Sequence, residues 1–404
     1  MPPNHDCVVV GAGLVGAAQA LALRQLGLDV VVAEARGPLT ASNQGDVRGL
    51  ALAPSSQGLL AALGLWKDLE GCLTPIKHIQ VTEKGRFGAI RLNAQDAGLD
   101  ALGYVCPADH LLATIEAALT TSGPVQWRTA LQSITFSPDA ATVSLLRDGE
   151  VTQLSARLVI GADGPHSPVR EAIGVSSRTR DYPHSAIVAN VTLEFPLPET
   201  AFERFTSDGP LALLPLDGAR YVVVRCCAND SVAEFLNLSD VQFLATLESD
   251  FGHRFGRFTD LSQRSMHPLS LSSADRITDR RAALVGAAAN SIHPNGAQGL
   301  NLGLRDVAGL TLAVKQALNA YEDIGGVRCL AEFSRSRLGD QRAVVRSTDS
   351  LARLFSNSLP PWGLLRNIAM VALDTSPMAK RWLIRRATGL FSAAALVSVG
   401  MGIE

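Results

Sequence analysis

A glycine-rich segment near the start of the chain has the composition of a diphosphate-binding turn. It reads Gly11-Ala12-Gly13-Leu14-Val15-Gly16, and an acid, Glu34, follows 18 residues after its last glycine. Three glycines at this spacing permit a tight turn, close approach of a pyrophosphate and close packing of a helix on a strand. An acid at this distance accepts hydrogen bonds from a ribose hydroxyl. The pattern predicts dinucleotide binding by Gly11, Gly13, Gly16 and Glu34. The alternative is a turn that serves packing only, with Glu34 as a surface carboxylate.

A second glycine segment follows the apolar run 158–160. It spans residues 161–170 and contains Asp163-Gly164. Taken alone, Asp-Gly is an ordinary turn dipeptide. Its place after a strand also allows a ligand-binding turn, so both interpretations stay open.

A third segment, residues 286–306, has glycines at 286, 296, 299 and 303. Glycine lets the backbone approach a ligand closely. A helix beginning near Gln298 or Gly299 would direct its free amides and its positive end at an electron-rich group. His293 stands before Pro294 in a constrained, extended stretch, although an isolated histidine is more often structural than catalytic.

Strands and helices must hold these motifs in place. The apolar run 7–10, the Ala- and Leu-rich stretch 14–26 and the run 30–33 predict strand, helix, strand. Asp109 is the expected N-cap of a helix over 109–121. Further elements are predicted as a hairpin at 76–92, strands within 125–161, at 186–191, 221–227 and 282–286, and helices throughout the region after 340.

Because the nucleotide-binding signals are separated by strand-rich segments without such signals, we expect one discontinuous domain with another domain inserted. The predicted fold is α/β, with a discontinuous Rossmann-like domain, an inserted β-sheet domain and a C-terminal helical tail. The predicted boundaries are 1–75, 100–180 and 271–345 for the nucleotide domain, 76–99 and 181–270 for the β-rich domain, and 346–404 for the tail.

Composition excludes several classes of protein. The 404 residues carry 36 Lys and Arg against 38 Asp and Glu, which lacks the cationic excess of a nucleic-acid binder. With 47% hydrophobic and 18% charged residues, the chain can form a large core and is not disordered. Six cysteines without a Cys-x-x-Cys pair predict reduced thiols and no metal site. Reduced thiols in turn predict a cytoplasmic location. The first six residues lack Lys and Arg and run into an apolar strand, so we expect no signal peptide.

The order and spacing of the three motifs resemble the flavin-dependent aromatic hydroxylases of the p-hydroxybenzoate hydroxylase-like superfamily. Further segments are similar to the ubiquinone-biosynthesis branch, and within it to the subfamily that hydroxylates 2-polyprenyl-6-methoxyphenol. These segments are 46–52, 63–66, 188–191, 202–205, 209–215, and 293–294 through 301–306.

The resemblance implies a monooxygenase that uses FAD, NAD(P)H and O2 to hydroxylate a polyprenylated phenol through a flavin C4a-hydroperoxide. It leaves the catalytic residue unassigned, with His293, Pro294 and Gly299 as candidates. Phe205, Leu213, Leu214 and Pro215 are expected at the substrate wall, against the alternative of core packing. The implied FAD contacts are Gly11, Gly13, Gly16, Glu34, Arg48, Asp163, Gly164, Gly286, Ala287, Gly299, Leu300 and Asn301.

Ala287 and Arg48 differ from the other implied FAD contacts. The wider family usually has Asp after the glycine at 286, where it binds a ribityl hydroxyl, and this chain has Ala287. Loss of one such hydrogen bond costs about 0.5–1.5 kcal/mol, so FAD is expected to bind up to about tenfold more weakly. Arg48 has the donors to reach a phosphate or the flavin edge. The alternative for Arg48 is an ion pair with Asp46.

The C-terminal segment 351–404 carries six Lys and Arg against two Asp and Glu. Leu383, Ala387, Leu390, Phe391 and Ala394 share one helical face, and Trp382 lies beside the basic residues. Such a segment favours peripheral contact with anionic lipids at the inner face of the membrane. The alternative is a helix packed on the rest of the protein. The expected partners are the phenol, O2 and an assembly of ubiquinone-biosynthesis proteins. Competing functions are hydroxylation of a soluble phenol or of another ring position, and a non-catalytic scaffold.

Overall fold

The computed structural model describes residues 3–38, 48–291, 298–356 and 360–388. Within these residues the strands form three sheets. In chain order the strands are β1 (His5–Val10), β2 (Val30–Glu34), β3 (Gly49–Leu52), β4 (Thr74–Ile76), β5 (His78–Glu83), β6 (Ala89–Asn93), β7 (Gly103–Pro107), β8 (Val125–Trp127), β9 (Thr129–Phe136), β10 (Ala141–Arg147), β11 (Glu150–Gly161), β12 (Ser177–Leu193), β13 (Thr200–Thr206), β14 (Gly209–Asp217), β15 (Arg220–Ala228), β16 (Phe258–Thr259), β17 (Ser265–Ala274), β18 (Thr278–Asp279), β19 (Ala282–Leu284) and β20 (Asn290–Ser291).

Helices cover the sheets and form the described C-terminal region. They are α1 (Leu14–Gln25), α2 (Pro54–Ala62), α3 (Trp66–Leu69), α4 (Ala108–Ser122), α5 (Pro168–Ala172), α6 (Val232–Asn237), α7 (Asp240–Phe251), α8 (Gln298–Asn319), α9 (Val327–Ser356), α10 (Pro360–Thr375) and α11 (Pro377–Ala387). The predicted mixed α/β architecture with a helical C-terminal region is confirmed.

The first sheet has the order β18-β19-β11-β1-β2-β8. Strands β19, β11, β1, β2 and β8 pair in parallel, and β9 and β10 continue from β11 as antiparallel neighbours. The last four residues of β1 and all five of β2 are buried. Uninterrupted apolar runs are typical of parallel strands covered on both faces.

The second sheet has the order β20-β17-β12-β15-β14-β13-β5-β6, with β16 beside β12. On one face Leu213 and Val223 pack against Phe243 of α7. On the other face Val222 packs against Val105 of β7, which belongs to the small third sheet β3-β7-β4. Since successive side chains in a strand point to opposite faces, β12, β14 and β15 contribute to both contacts.

The C-terminal helices α10 and α11 pack on the β5–β6 edge of the second sheet. Met370 and Ile384 share a buried cluster with Ile90 of β6. Arg366 donates to the carboxylate of Glu83 at 2.7 Å. In the described part of the chain, no helix combines the length and hydrophobicity needed to cross a bilayer.

The predicted N-cap of α4 is wrong, and the apolar face of α11 follows one of its two predicted alternatives. Helix α4 begins at Ala108 with Pro107 at its N-cap, whereas Asp109 was the expected cap. The Asp109 carboxylate accepts from the amide of His110 instead. On α11, Leu383 of the predicted apolar face is half-buried against the cluster that contains Ile384, as the alternative of a packed helix predicts. The predicted hairpin at 76–92 forms from β5 and β6, while the domain boundaries stay a prediction.

Candidate functional site

The three glycine motifs meet at one edge of the first sheet. Val10 pairs with Gly161 across β1 and β11, and Gly161 pairs with Leu284 across β11 and β19. The turns after these strands therefore begin side by side. In open parallel sheets, ligands bind in the crevice beyond the carboxyl ends of the strands. The sequence predicted each turn separately, and the sheet register brings them together.

The three glycines of the first turn have different surroundings: two are closely packed, and one faces open space. Gly11 has φ +101°, and a Cβ there would lie 2.5 Å from the carbonyl oxygen of Ala162. A Cβ on Gly16 would lie 2.0 Å from the carbonyl oxygen of Gly11. Around Gly13, by contrast, no described atom lies within 4 Å of the corresponding position. Gly11 and Gly16 are thus required for packing, and the surface at Gly13 is open to a ligand at the amino end of α1.

Glu34 stands at the end of β2 and is 6% exposed. Its Oε2 accepts a hydrogen bond from the amide of Ala12 at 2.6 Å, and its Oε1 accepts from the amide of Arg36 at 2.9 Å. The alternative of a free surface carboxylate is therefore wrong. Each carboxylate oxygen can accept more than one hydrogen bond, so the predicted contact with a ribose hydroxyl stays a prediction.

Asp163 in the second turn has one engaged oxygen and one without a partner. Oδ2 accepts from the amide of Val169 at 2.9 Å. Oδ1 is buried and has no hydrogen-bond partner among the described residues. Burial raises the pKa of this carboxyl above its usual range. Buried polar atoms in native proteins are almost always satisfied, so Oδ1 calls for a ligand atom. Gly164 beside it has φ +89° and an open surface.

A buried arginine connects the second and third turns, and sequence reasoning gave it no role. Arg170 is 7% exposed. It donates from Nη1 to the carbonyl oxygen of Ala288 at 2.9 Å and from Nη2 to that of Pro165 at 2.8 Å. Its position within the Asp-Gly segment was visible in the sequence, but its partner 118 residues away was not.

The third turn packs directly on the first helix. Gly286 has φ +62°, and a Cβ there would lie 3.0 Å from Cγ1 of Val15. Gly303 on α8 lies so close that its Cβ would be 3.0 Å from the Cα of Gly286 and 2.7 Å from Cγ2 of Val15. Ala287 is exposed beside them. Small residues thus place the start of α8 against the amino end of α1.

Asn301 holds the start of α8 against the third sheet. Its Oδ1 accepts from the amide of Ala53 and from the hydroxyl of Ser56, both at 2.7 Å. Its Nδ2 donates to the carbonyl oxygen of Ala51 at 2.9 Å. The side chain predicted to contact FAD is therefore engaged by protein, and its backbone amide remains the predicted contact.

Some of the other predicted site residues are described by the structure, and the rest lie outside the described residues. Gly299 and Leu300 are half-buried in the first turn of α8, where helix amides lack intrahelical partners. Arg48 precedes β3, and its carbonyl oxygen accepts from the amide of Ala108. His293 and Pro294 lie outside the described residues. So does Asp46, the alternative partner of Arg48.

The predicted substrate wall divides between the two faces of the second sheet. Leu214 contributes to the face that contacts Val105, and the side chain of Phe205 is buried in neighbouring β13. Leu213 packs in the opposite core with α7, because adjacent residues of a strand alternate. This placement corrects the prediction for Leu213. Pro215 is buried where the pairing of β14 with β15 shifts.

These observations fit a dinucleotide with a polar chain beyond its diphosphate. Gly13 and Gly164 leave open surface, and Asp163 offers an unsatisfied buried oxygen. The sites lie on turns that the sheet register brings together. FAD has the diphosphate and ribityl hydroxyls that these groups would bind.

Comparison with known proteins also indicates an FAD-binding protein. A family model described as an FAD binding domain matches residues 4–348. Ubiquinone hydroxylase UbiL of Rhodospirillum rubrum is 37% identical over 389 residues, covering 95% of this chain and 89% of that protein. The 3-demethoxyubiquinol 3-hydroxylase of Escherichia coli is 31% identical over 389 residues, covering 95% of this chain and 98% of that protein.

Solved structures confirm the fold. The p-nitrophenol 4-monooxygenase PnpA of Pseudomonas putida superimposes with a TM-score of 0.77 at 19% identity, covering 97% of this chain and 99% of that one. The chain belongs to the FAD-binding-domain family and, within it, to the branch of FAD-dependent hydroxylases that contains the ubiquinone hydroxylases.

Proposed function

We propose that this protein hydroxylates a polyprenylated phenol in ubiquinone biosynthesis, with NAD(P)H as reductant and O2 as oxidant. The substrate that we favour is 2-polyprenyl-6-methoxyphenol. The observation that carries the proposal is the convergence of three glycine turns at one sheet edge in a chain similar over 95% of its length to two hydroxylases of ubiquinone intermediates.

FAD would supply the redox chemistry, and the protein would bind, orient and shield it. Gly13, Asp163 and Gly164 would hold its polar chain. The free amides at the start of α8, near Leu300 and Asn301, would stabilise negative charge on the flavin ring. The face of the second sheet that includes Leu214 would provide an apolar wall that keeps water from the reacting atoms.

The direct test uses purified full-length protein loaded with FAD. We expect 2-farnesyl-6-methoxyphenol to stimulate NAD(P)H oxidation and one atom of 18O from 18O2 to appear in the product. A scaffold would bind FAD without phenol-stimulated oxidation. A soluble phenol such as 2-methoxyphenol, which lacks the tail, tests whether the prenyl chain is needed.

The ring position requires a separate experiment, because the E. coli relative is named for a different hydroxylation. A strain deleted for this gene should accumulate the intermediate that lacks one hydroxyl. Mass spectrometry of the accumulated quinone precursors identifies that step. Accumulation of 2-polyprenyl-6-methoxyphenol is the expected result, and accumulation of a later intermediate would reassign the substrate.

We further propose peripheral membrane contact through the exposed face of α11. Met378 is 83% exposed and Trp382 is 52% exposed, one helical turn apart. Arg385 and Arg386 are exposed beside them, and the Arg386 guanidinium lies 5.5 Å from the centre of the Trp382 ring. An aromatic and apolar surface next to cations is suited to an anionic lipid interface. It would bring the enzyme to its prenylated substrate and to any assembly of biosynthetic partners.

Vesicle flotation tests this contact. Full-length protein should float with vesicles that contain phosphatidylglycerol. The double variant that carries both Met378→Glu and Trp382→Glu should stay in the dense fraction. Val327→Glu is the matched control, because Val327 is 82% exposed outside α10 and α11. Equal flotation of all three proteins, or of none, would reject the proposal.

A further inference from the structure

The face of the second sheet that turns toward the FAD-binding part of the protein carries a carboxylate, Glu203 of β13. Its neighbour Phe202 packs in the opposite core, with its ring centre 4.8 Å from that of Phe255. Ala201, two residues before Glu203, packs with Val105 of the third sheet. Because side chains alternate along a strand, Glu203 points to the same side as Ala201.

The residues beside Glu203 on this face are small or apolar. Strand pairing places Val81 of β5 on one side and Ala212 of β14 on the other, followed by Val224 and Val188. Such a row is suited to an apolar ligand. The methyl group of Ala212 leaves room directly beside the carboxylate.

This row lies next to the FAD-binding part of the protein. The adjacent row contains Val222, and a Cβ built on Gly49 would lie 2.7 Å from Cγ2 of Val222. Gly49 follows Arg48, a predicted FAD contact. Glu203 thus lies on β13 in the row of side chains next to the row that contacts the third sheet.

Within the described residues, no hydrogen bond or ion pair engages the Glu203 carboxylate. The residue retains some accessible surface, yet burial alone raises the pKa of its carboxyl to about 7. Glu203 is therefore half-buried on a sheet face that a ligand can still reach. A buried carboxylate without a partner is costly, so its presence on an apolar face calls for a polar ligand atom.

We infer that the Glu203 carboxylate accepts the hydrogen bond of the substrate's phenolic hydroxyl and so fixes the ring on this sheet face. The inference rests on the proposed function and adds a residue that contacts the substrate. The hydroxyl proton is shared toward Oε of Glu203 while the electron pair stays on the phenolic oxygen. This polarisation raises the electron density of the ring, which hydroxylation by an electrophilic oxygen requires.

The test compares two probes on the FAD-loaded full-length protein. The probes are 2-farnesyl-6-methoxyphenol and the compound in which its hydroxyl is methylated, and changes in flavin absorbance report binding. A hydrogen bond to a charged acceptor predicts that the wild type binds the phenol about 10- to 100-fold more tightly than the ether. Glu203→Gln should reduce this preference, and Glu203→Met should abolish it.

Glu199→Gln is the matched control, since Glu199 is a partly exposed residue four positions away that pairs with Lys77. It should keep the wild-type preference. Hydroxylation of the phenol by Glu203→Met should fall in kcat, with FAD content unchanged. A wild type that binds both probes equally, or a Met variant that keeps the preference, overturns the inference while leaving the proposed function intact. A wild type that binds neither probe overturns the proposed substrate class and this inference together.

Discussion

The carboxylate of Asp306 on α8 accepts a hydrogen bond from the backbone amide of Gly286, with an Oδ2 to nitrogen distance of 3.2 Å. Its Oδ1 accepts from Nε of Arg337 at 2.8 Å and from Nε2 of Gln341 at 2.9 Å. Asp306 is completely buried. It therefore fixes the third glycine turn to both α8 and α9.

Replacing Asp306 should destabilise the protein and disturb that turn. In Asp306→Asn the buried Arg337 loses one of its two carboxylate partners and keeps Asp340, which should cost about 1.5–3 kcal/mol. Urea unfolding of the apoprotein measures this loss. The Kd for FAD should also rise, because the Gly286 turn loses a strong acceptor. Asp217→Asn, which removes an exposed carboxylate paired with Arg220, should cost less than about 1 kcal/mol. Equal costs for the two variants would contradict this assignment.

The sequence predicts the local structure of this site but not the contacts between its distant parts. The strand, turn and helix around Gly11 follow from local composition, because apolar runs and glycines act within a few residues. The partners of Asp306 and the Ala288 partner of Arg170 do not follow, since they lie 20 to 118 residues away and depend on tertiary packing. Leu213 was misplaced because its neighbours in the sequence do not indicate which sheet face contacts α7.

Two glycines of the first turn should respond differently to alanine. Gly16→Ala forces a Cβ to within 2.0 Å of a backbone oxygen, so it should destabilise even the apoprotein, by about 1–3 kcal/mol. Gly13 has φ −65° and open space around it, so Gly13→Ala should change apoprotein stability by less than about 0.5 kcal/mol.

FAD titration separates the two glycines further. The methyl group of Gly13→Ala would occupy surface offered to the diphosphate, and the Kd for FAD should rise about tenfold or more. Quenching of flavin fluorescence measures this Kd. A Gly13→Ala variant that binds FAD as the wild type does would show that the diphosphate lies elsewhere.

Ala287 offers a gain-of-affinity test. Ala287 is exposed next to the Gly286 turn, and it supplies no side-chain hydrogen bond. Ala287→Asp should add one bond to a ribityl hydroxyl, worth about 0.5–1.5 kcal/mol, and lower the Kd for FAD about two- to tenfold. Ala287→Leu, which adds bulk without an acceptor, should not improve binding. Tighter binding by the Leu variant would attribute the effect to packing.

The amides at the start of α8 can be tested one at a time. Leu300 lies in the first turn, where proline is compatible with a helix but removes one N–H donor. Leu300→Pro should slow flavin reduction by NAD(P)H about tenfold in stopped-flow measurements, because one donor to the reduced ring is lost. Leu300→Ala keeps the amide and should reduce at the wild-type rate. An unchanged rate in folded Leu300→Pro would exclude this amide from the site.

Glu203 should also impose a pH-dependent cost on the fold that requires no substrate. Burial raises the pKa of its carboxyl from 4.5 to about 7, so the native state holds this proton to higher pH than the unfolded chain does. The stability that protonated Glu203 contributes is full at low pH and is lost as the pH rises through about 7, a difference of roughly 3 kcal/mol. Glu203→Gln is neutral throughout, so its stability relative to the wild type should increase by about 2–3 kcal/mol between pH 5 and pH 8. Urea unfolding at both pH values measures the change. A difference that stays constant with pH would mean that Glu203 is solvated and is not the half-buried acceptor inferred for the phenol.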